Sequence, residues 1–241
     1  MQWPKTRPVL SAQEESISED WQAFWLTAAQ KKFSGIQNFN HGYALRASAG
    51  HAGETLEVGA GDGEHIRLEQ EGGRTLTDYH VIEMREDLAD VIRRRFPALD
   101  VKVADCQKSL PFESGSIRRI VAIHVLEHLD NLPVFLREAG RVLASDGRLI
   151  VVLPCEGGLL YGLGRQVTTK RLFKKRYGIS YEKFIRCEHV NTASEVIAEL
   201  KKSFRIESSE WWPLKIPSVH MNVCVGLCLV PNAATPRDGK C

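Results

Sequence analysis

The 241-residue chain lacks any apolar run approaching the ~20 residues that a bilayer-spanning helix needs. Its longest runs, at 149–154 and 223–231, suit buried strands. No basic region followed by an apolar one opens the sequence, so no secretory leader is expected. Six cysteines at 106, 155, 187, 224, 228 and 241 include no C-x-x-C pair. That spacing argues against a disulfide frame and predicts reduced thiols in a cytoplasmic protein. Cys224 and Cys228 read as small buried hydrophobes rather than metal ligands. An excess of one charge is missing too: 32 Lys and Arg face 30 Asp and Glu, a net charge of +2. Global charge therefore points to no particular partner, and no nucleic-acid-binding module is recognisable. No internal repeat is found. What remains, 43% apolar and 26% charged residues, is the composition of a globular domain with one substantial core.

The most informative stretch runs from Glu54 to His65, Glu-Thr-Leu-Glu-Val-Gly-Ala-Gly-Asp-Gly-Glu-His. A short apolar run ends at Val58, three alternate glycines follow, and a helical pattern opens at Glu64. Strand, glycine turn and helix start make a place where a ligand can lie against bare backbone and unpaired N–H groups. The dinucleotide fingerprint G-x-G-x-x-G fails at its last glycine, where Glu64 stands, which argues against a nicotinamide enzyme.

Residues 1–50 carry no strand pattern. Trp21, Phe24, Trp25, Ala28 and Ala29 sit at helical spacing behind a start signal at Ser16, and 44–49 reads as a second helix. This region is expected to be a helical cover. Over 51–231, strand patterns at 55–58, 78–83, 101–104, 119–123 and 148–153 alternate with helical patterns at 64–71, 86–96 and 134–142. That alternation predicts an α/β, Rossmann-like doubly wound, mostly parallel sheet. Ser145-Asp-Gly147 is expected to separate a helix from the strand after it. An insert at 155–190 breaks the pattern and is read as a cap. Between Arg165 and Arg186 it holds eight Lys or Arg and one acid, Glu182. A helix at 192–202 and strands at 205–210 and 221–230 complete the domain, and 232–241 reads as a disordered tail.

Ligands of doubly wound sheets bind at the carboxyl ends of the strands. Those ends carry, in order, the glycine loop, Glu83, Asp105 with Cys106, and His124. The set Leu-Glu-Val-Gly-Ala-Gly-Asp-Gly (56–63), Val-Ile-Glu (81–83), Ala-Asp-Cys (104–106), Leu-Pro-Phe (110–112), His-Val-Leu-Glu-His-Leu (124–129) and Arg-Val-Leu-Ala-Ser-Asp-Gly (141–147) resembles the methyltransferase type 11 group of class I S-adenosylmethionine (SAM) methyltransferases. The resemblance implies that Gly59 and Gly61 pass beneath the methionine part of SAM and that Glu57 approaches its amino group. It implies that Glu83 holds the ribose beside Met84, that Asp105 and Cys106 meet the adenine, and that His124 lines the sulfonium end. It also implies an antiparallel last strand.

Methyl transfer to a hydroxyl benefits from a base, and His124 and His189 are the candidates. His128 is expected to pack on a helix. The run His-Val-Leu-Glu-His matches the zinc motif H-x-x-E-H, but the helix would be too short to hold both histidines, so no metal site is expected. The cap occupies the place where an acceptor would bind, with Tyr161, Arg165, Tyr181 and Arg186 as contacts. A small-molecule or glycan-type hydroxyl acceptor, anionic in keeping with the basic cap, is the expectation, with peripheral contact to a membrane surface through that cap. The alternatives are C- or N-methylation of a quinone, lipid or natural product, and a non-catalytic SAM-binding scaffold.

Overall fold

The computed structural model describes residues 2–32, 34–51 and 53–232, with side chains throughout except at 25–32 and 34. The expected tail, beyond Asn232, and the side chains of Trp25, Ala28 and Ala29 lie outside the described residues. Two helices come first, α1 (Ala12–Lys32) and α2 (Ser34–Ser48). α1 begins ahead of the Ser16 signal because Ser11 and Glu14 form a reciprocal cap. The Ser11 N–H donates to Glu14 Oε2 at 2.8 Å, and the Glu14 N–H donates to Ser11 Oγ at 3.4 Å.

The strands are β1 (Thr55–Val58), β2 (Tyr79–Glu83), β3 (Asp100–Val103), β4 (Ile117–Ile123), β5 (Leu143–Pro154), β6 (Phe204–Trp212) and β7 (Cys224–Pro231). They form one sheet in the order β3-β2-β1-β4-β5-β7-β6. β1 to β5 are parallel, and β7 runs antiparallel to both β5 and β6. Strand order reverses between β1 and β4, which opens a crevice at their carboxyl ends. Residues 145–147 do not divide helix from strand as expected. They belong to an irregular start of β5, where its register against β4 shifts.

Both faces of the sheet are covered, which is why its strands read as continuous apolar runs. α3 (Glu64–Glu71) and α4 (Glu86–Arg95) follow β1 and β2, and α5 (Leu132–Val142) precedes β5. Leu56, Ile120, Leu149 and Val151 turn to the face that also buries Phe135 and Leu136 of α5. Val121, Ile150 and Val152, one residue out of phase, turn to the opposite face under Phe39 and Tyr43 of α2. α2 lies so close to β7 that a Cβ on Gly226 would meet the Tyr43 ring at 2.2 Å. Gly226→Ala should therefore lower stability by about 1–3 kcal/mol, read as a lower urea midpoint. An unchanged midpoint would mean that α2 does not sit there.

Beyond β5 come α6 (Leu159–Arg165), a π-helical turn (Gln166–Lys170), α7 (Arg171–Tyr177), α8 (Glu182–Glu188) and then α9 (Ala193–Ser203). Trp21 of α1 packs edge-on against Phe173 of α7, with ring centroids 5.1 Å apart. Tyr181, Phe184 and Ile185 join the same apolar cluster. α1 and the cap thus roof the carboxyl-terminal edge of the sheet.

Candidate active site

The glycine loop hangs between β1 and α3. Gly59 and Gly61 both take positive φ, 65° and 59°. A Cβ on Gly59 would lie 2.7 Å from Val125, so glycine is needed there for close packing. A Cβ on Gly61 would meet no protein atom within 4 Å, so its bare face borders open space. The Gly61 N–H donates to Glu83 Oε2 at 3.1 Å, and the Arg85 N–H donates to Glu83 Oε1 at 3.0 Å. The acid at the end of β2 is thereby fastened to the loop at the end of β1.

Asp105 follows β3, where its Oδ1 accepts from the Gln107 N–H at 2.9 Å. Cys106 is buried beside it, and burial together with the Asp105 and Glu83 carboxylates pushes its thiol up to about 12. Both carboxylates thus act on the Cys106 thiol, which stays protonated and unreactive. Met84 stands 67% exposed next to Glu83. Glu57 lies deeper, behind the loop, and its carboxylate accepts from the Tyr79 hydroxyl at 2.6 Å. A second buried pair anchors α3 beneath this loop: fully buried Arg119 of β4 donates to Glu69 Oε1 at 2.6 Å.

His124 ends β4 with φ +55°, a conformation that non-glycine residues seldom adopt. Its N–H is held by the Val152 carbonyl at 2.9 Å, and its Nδ1 lies 3.2 Å from Glu127 Oε1. Burial disfavours a charge on His124, but Cys224 and Glu127 beside it outweigh this and push its pKa up to about 10. Glu127 is also buried, which alone would raise its pKa, yet His124 and the neighbouring histidines hold it near 2. A ring so charged is a poor base at neutral pH. The linkage follows from the shifts. His124, raised above its ordinary 6.5, contributes fully below that value, and its share is lost as pH climbs through about 10. Glu127, depressed from 4.5, contributes above that value, and its share is lost as pH falls through about 2. At pH 8 the nuclear magnetic resonance shifts of the His124 ring should be those of an imidazolium. A neutral ring there would return His124 to the list of bases.

One cavity of about 640 Å³ opens along this edge, within the roughly 300–1,000 Å³ of small-molecule sites. Its walls come from α1, α2, the β2 and β4 ends, and the cap, including Trp21, Asn40, Arg85, His124, Tyr161 and His189. Gly61, Glu83 and Asp105 are not in its lining; Arg85 and His124 link it to the strand ends that carry them. At the cap end, Glu156 Oε2 sits 3.0 Å from His189 Nδ1 and 2.5 Å from Arg165 Nη1. Burial alone would raise the Glu156 pKa, but His189 and Arg165 bring it below the ordinary carboxylate value. Arg165 also stacks on the Tyr161 ring at 5.5 Å. Tyr161 and Tyr181 line the cavity, and burial raises both of their pKa values. Arg186 does not join them. It is exposed on α8 and outside the cavity wall, because Ile185 and Glu188 occupy the inward face of that short helix.

Two acidic groups of this site have no role in the sequence reading, Glu127 and Glu156. The signal for Glu127 was an acid inside an otherwise apolar run. For Glu156 there was none, since its partners lie 9 and 33 residues away. Residues 126–128 form a single 3-10 turn, so His124 and His128 do not share a helix face. His128 instead reaches the cavity and touches His189 edge-on, with ring centroids 4.9 Å apart.

Residues 56–151 match the family described as "Methyltransferase domain". A demethylmenaquinone methyltransferase of Tropheryma whipplei is 31% identical over 98 residues, 41% of this chain and 40% of that protein. A probable S-adenosylmethionine-dependent methyltransferase of Mycobacterium tuberculosis is 31% identical over 103 residues, 43% of this chain and 36% of its own. Each alignment thus spans well under half of the relative's length. The crystal structure of a SAM-dependent methyltransferase from Aquifex aeolicus superposes with a TM-score of 0.57 at 16% identity, covering 82% of this chain and 92% of that one. The glycine loop tied to a β2 acid, the seven-stranded sheet order and these likenesses agree, and residues 56–151 form a class I SAM-dependent methyltransferase domain.

Proposed function

We propose that the protein transfers a methyl group from SAM to a hydroxyl of a small-molecule or glycan-type acceptor held under the cap. The observation that carries this reading is His189 in the cavity wall, with Glu156 Oε2 3.0 Å from its Nδ1. The carboxylate holds Nδ1–H and leaves Nε2 to take a proton. When bound, SAM supplies a methyl on a positively charged sulfur, whose carbon–sulfur bond breaks with the electron pair staying on sulfur. The chain's work is alignment, water exclusion and proton removal. Gly61, in the turn that Gly59 packs against Val125, leaves room for the methionine part, Glu83 accepts from the ribose hydroxyls, and Asp105 accepts from the adenine amino group. His189 Nε2 takes the hydroxyl proton as the acceptor oxygen bonds to the methyl carbon. Trp21, Tyr161 and Tyr181 wall the acceptor and keep water out.

Arg165 already faces Glu156, and Arg85 already faces Asp87 at 2.6 Å. Both arginines of the wall thus have counter-charges, which favours a neutral polyhydroxyl acceptor over the anionic one expected from the basic cap. The relative that acts on demethylmenaquinone supports a second reading, C-methylation of a quinone, in which no base at His189 is needed. Incubation with methyl-labelled SAM and fractionated extract, followed by mass analysis of labelled products, tests both. A label on oxygen supports the first reading; a label on carbon or nitrogen overturns it.

On the cap, Leu163 is 64% and Val167 is 71% exposed, one turn apart and next to Lys170 and Arg171. An apolar edge beside basic residues fits an anionic membrane surface. Co-flotation with phosphatidylglycerol vesicles, lost in Val167→Glu, is the expected result; equal flotation of both proteins would reject this contact.

A further inference from the structure

We propose that Glu127, His128 and His189 form a binding site for a divalent transition-metal ion in the wall of the acceptor cavity. One ring nitrogen from each histidine and a Glu127 carboxylate oxygen lie within 4.8 Å of one another. Ligands on a tetrahedral ion at about 2.1 Å sit about 3.4 Å apart, so a closure of about an ångström completes the set.

Three features besides proximity support it. First, both imidazoles are oriented from outside the cluster, as metal-bound histidines are. His128 Nδ1 is 2.7 Å from the Glu188 carbonyl, which can only accept, so Nδ1 carries the proton and Nε2 the lone pair. His189 Nδ1 is likewise committed to the Glu156 carboxylate at 3.0 Å. Second, Glu127 is 1% exposed, and its Oε2 is enclosed with no hydrogen-bond partner among the described residues. A buried carboxylate oxygen without a donor is costly, and a cation relieves that cost. Third, the three ligands come from elements far apart in the chain: a turn after β4 supplies two and the end of the cap supplies His189. The N-terminal segment braces the same corner, since Arg7 donates to the His128 and Cys187 carbonyls.

Two imidazoles and one carboxylate favour an ion of the zinc, manganese or ferrous class over magnesium or calcium. Three protein ligands leave a position open toward the cavity, the pattern of a catalytic rather than a structural site. The proposal rests on the hydroxyl-transfer reading for its chemical role. An acceptor hydroxyl entering the open position loses its proton to water as its oxygen binds the ion. That oxygen then bonds to the methyl carbon while the carbon–sulfur electron pair leaves with sulfur. In this state His189 is a ligand rather than the base.

The test uses the full chain with any affinity tag removed. Zinc is titrated calorimetrically into chelator-treated protein, cobalt is followed by its visible absorption, and thermal melting checks the fold of each variant. The expected result is one ion per chain at micromolar affinity or tighter, at least 100-fold weaker in His128→Ala and in Glu127→Gln. His128 is 40% exposed, so its variant keeps the test valid if Glu127→Gln fails to fold. No stoichiometric binding, or equal affinity in the wild type and His128→Ala, overturns the site. The two readings fail separately. A methyl found on oxygen without bound metal removes the ion and leaves the transfer reading. A bound metal with the methyl on carbon removes the role in hydroxyl transfer and leaves the site.

Discussion

His189→Ala is expected to reduce kcat by about 10²- to 10⁴-fold while SAM affinity stays within a few-fold of the wild type, measured by single-turnover methyl transfer and calorimetry. His189 lines the cap end of the cavity, whose lining does not include Gly61, Glu83 or Asp105, so its removal should spare the nucleoside site. His189→Gln keeps polarity but neither a basic nitrogen nor a good metal ligand, and it should lose nearly as much. A raised KM alone, with kcat intact, would show that His189 only binds the acceptor. Glu156→Gln gives the internal control. It keeps the acceptor atom beside Nδ1 but removes the charge that stabilises an imidazolium, so the defect should be smaller and should shift the pH profile.

The second large effect is expected at Glu83. This carboxylate fastens Gly61 to β2 and, with SAM present, accepts from the ribose. Glu83→Ala removes charged hydrogen bonds worth about 1.5–3 kcal/mol each and leaves the Gly61 N–H without its partner. SAM affinity should fall by roughly 100-fold or more, about 3 kcal/mol, in a calorimetric titration. Asp105→Ala, which removes one such contact, should cost about 1–3 kcal/mol. If Glu83→Ala binds SAM as tightly as the wild type, the nucleoside does not lie across the β1 and β2 ends. Glu83→Gln separates the two roles, since its amide oxygen can still accept from Gly61 while the charge is gone.

Local chemistry made much of this protein readable before any coordinates. Apolar runs of four to six residues marked the parallel strands, the first three of them ended by glycine or an acid and the next two by His124 and Pro154. The glycine spacing marked where a ligand meets bare backbone, because positive φ and a missing Cβ are properties of the residue itself. The distance from Gly61 to Glu83 set the acid at the next strand end, since one helix and one strand fill that interval. α1 starts ahead of the Ser16 signal for a similarly local reason: Ser11 and Glu14 cap each other there.

Tertiary structure decided what the polar residues of the cavity do. Whether His124 serves as a base depends on Glu127 and Cys224, and Cys224 arrives from β7, a hundred residues later in the chain. Arg165 seemed free to bind an anion until the fold set Glu156 against it, and Arg186 faced outward once α8 turned Ile185 inward. His128 and His189 became neighbours only when the cap folded back over β4. Glycine turns, caps and strand patterns are set by short-range sterics and are written locally. A charge or a ligand set depends on groups whose separation in the chain says nothing of their separation in space.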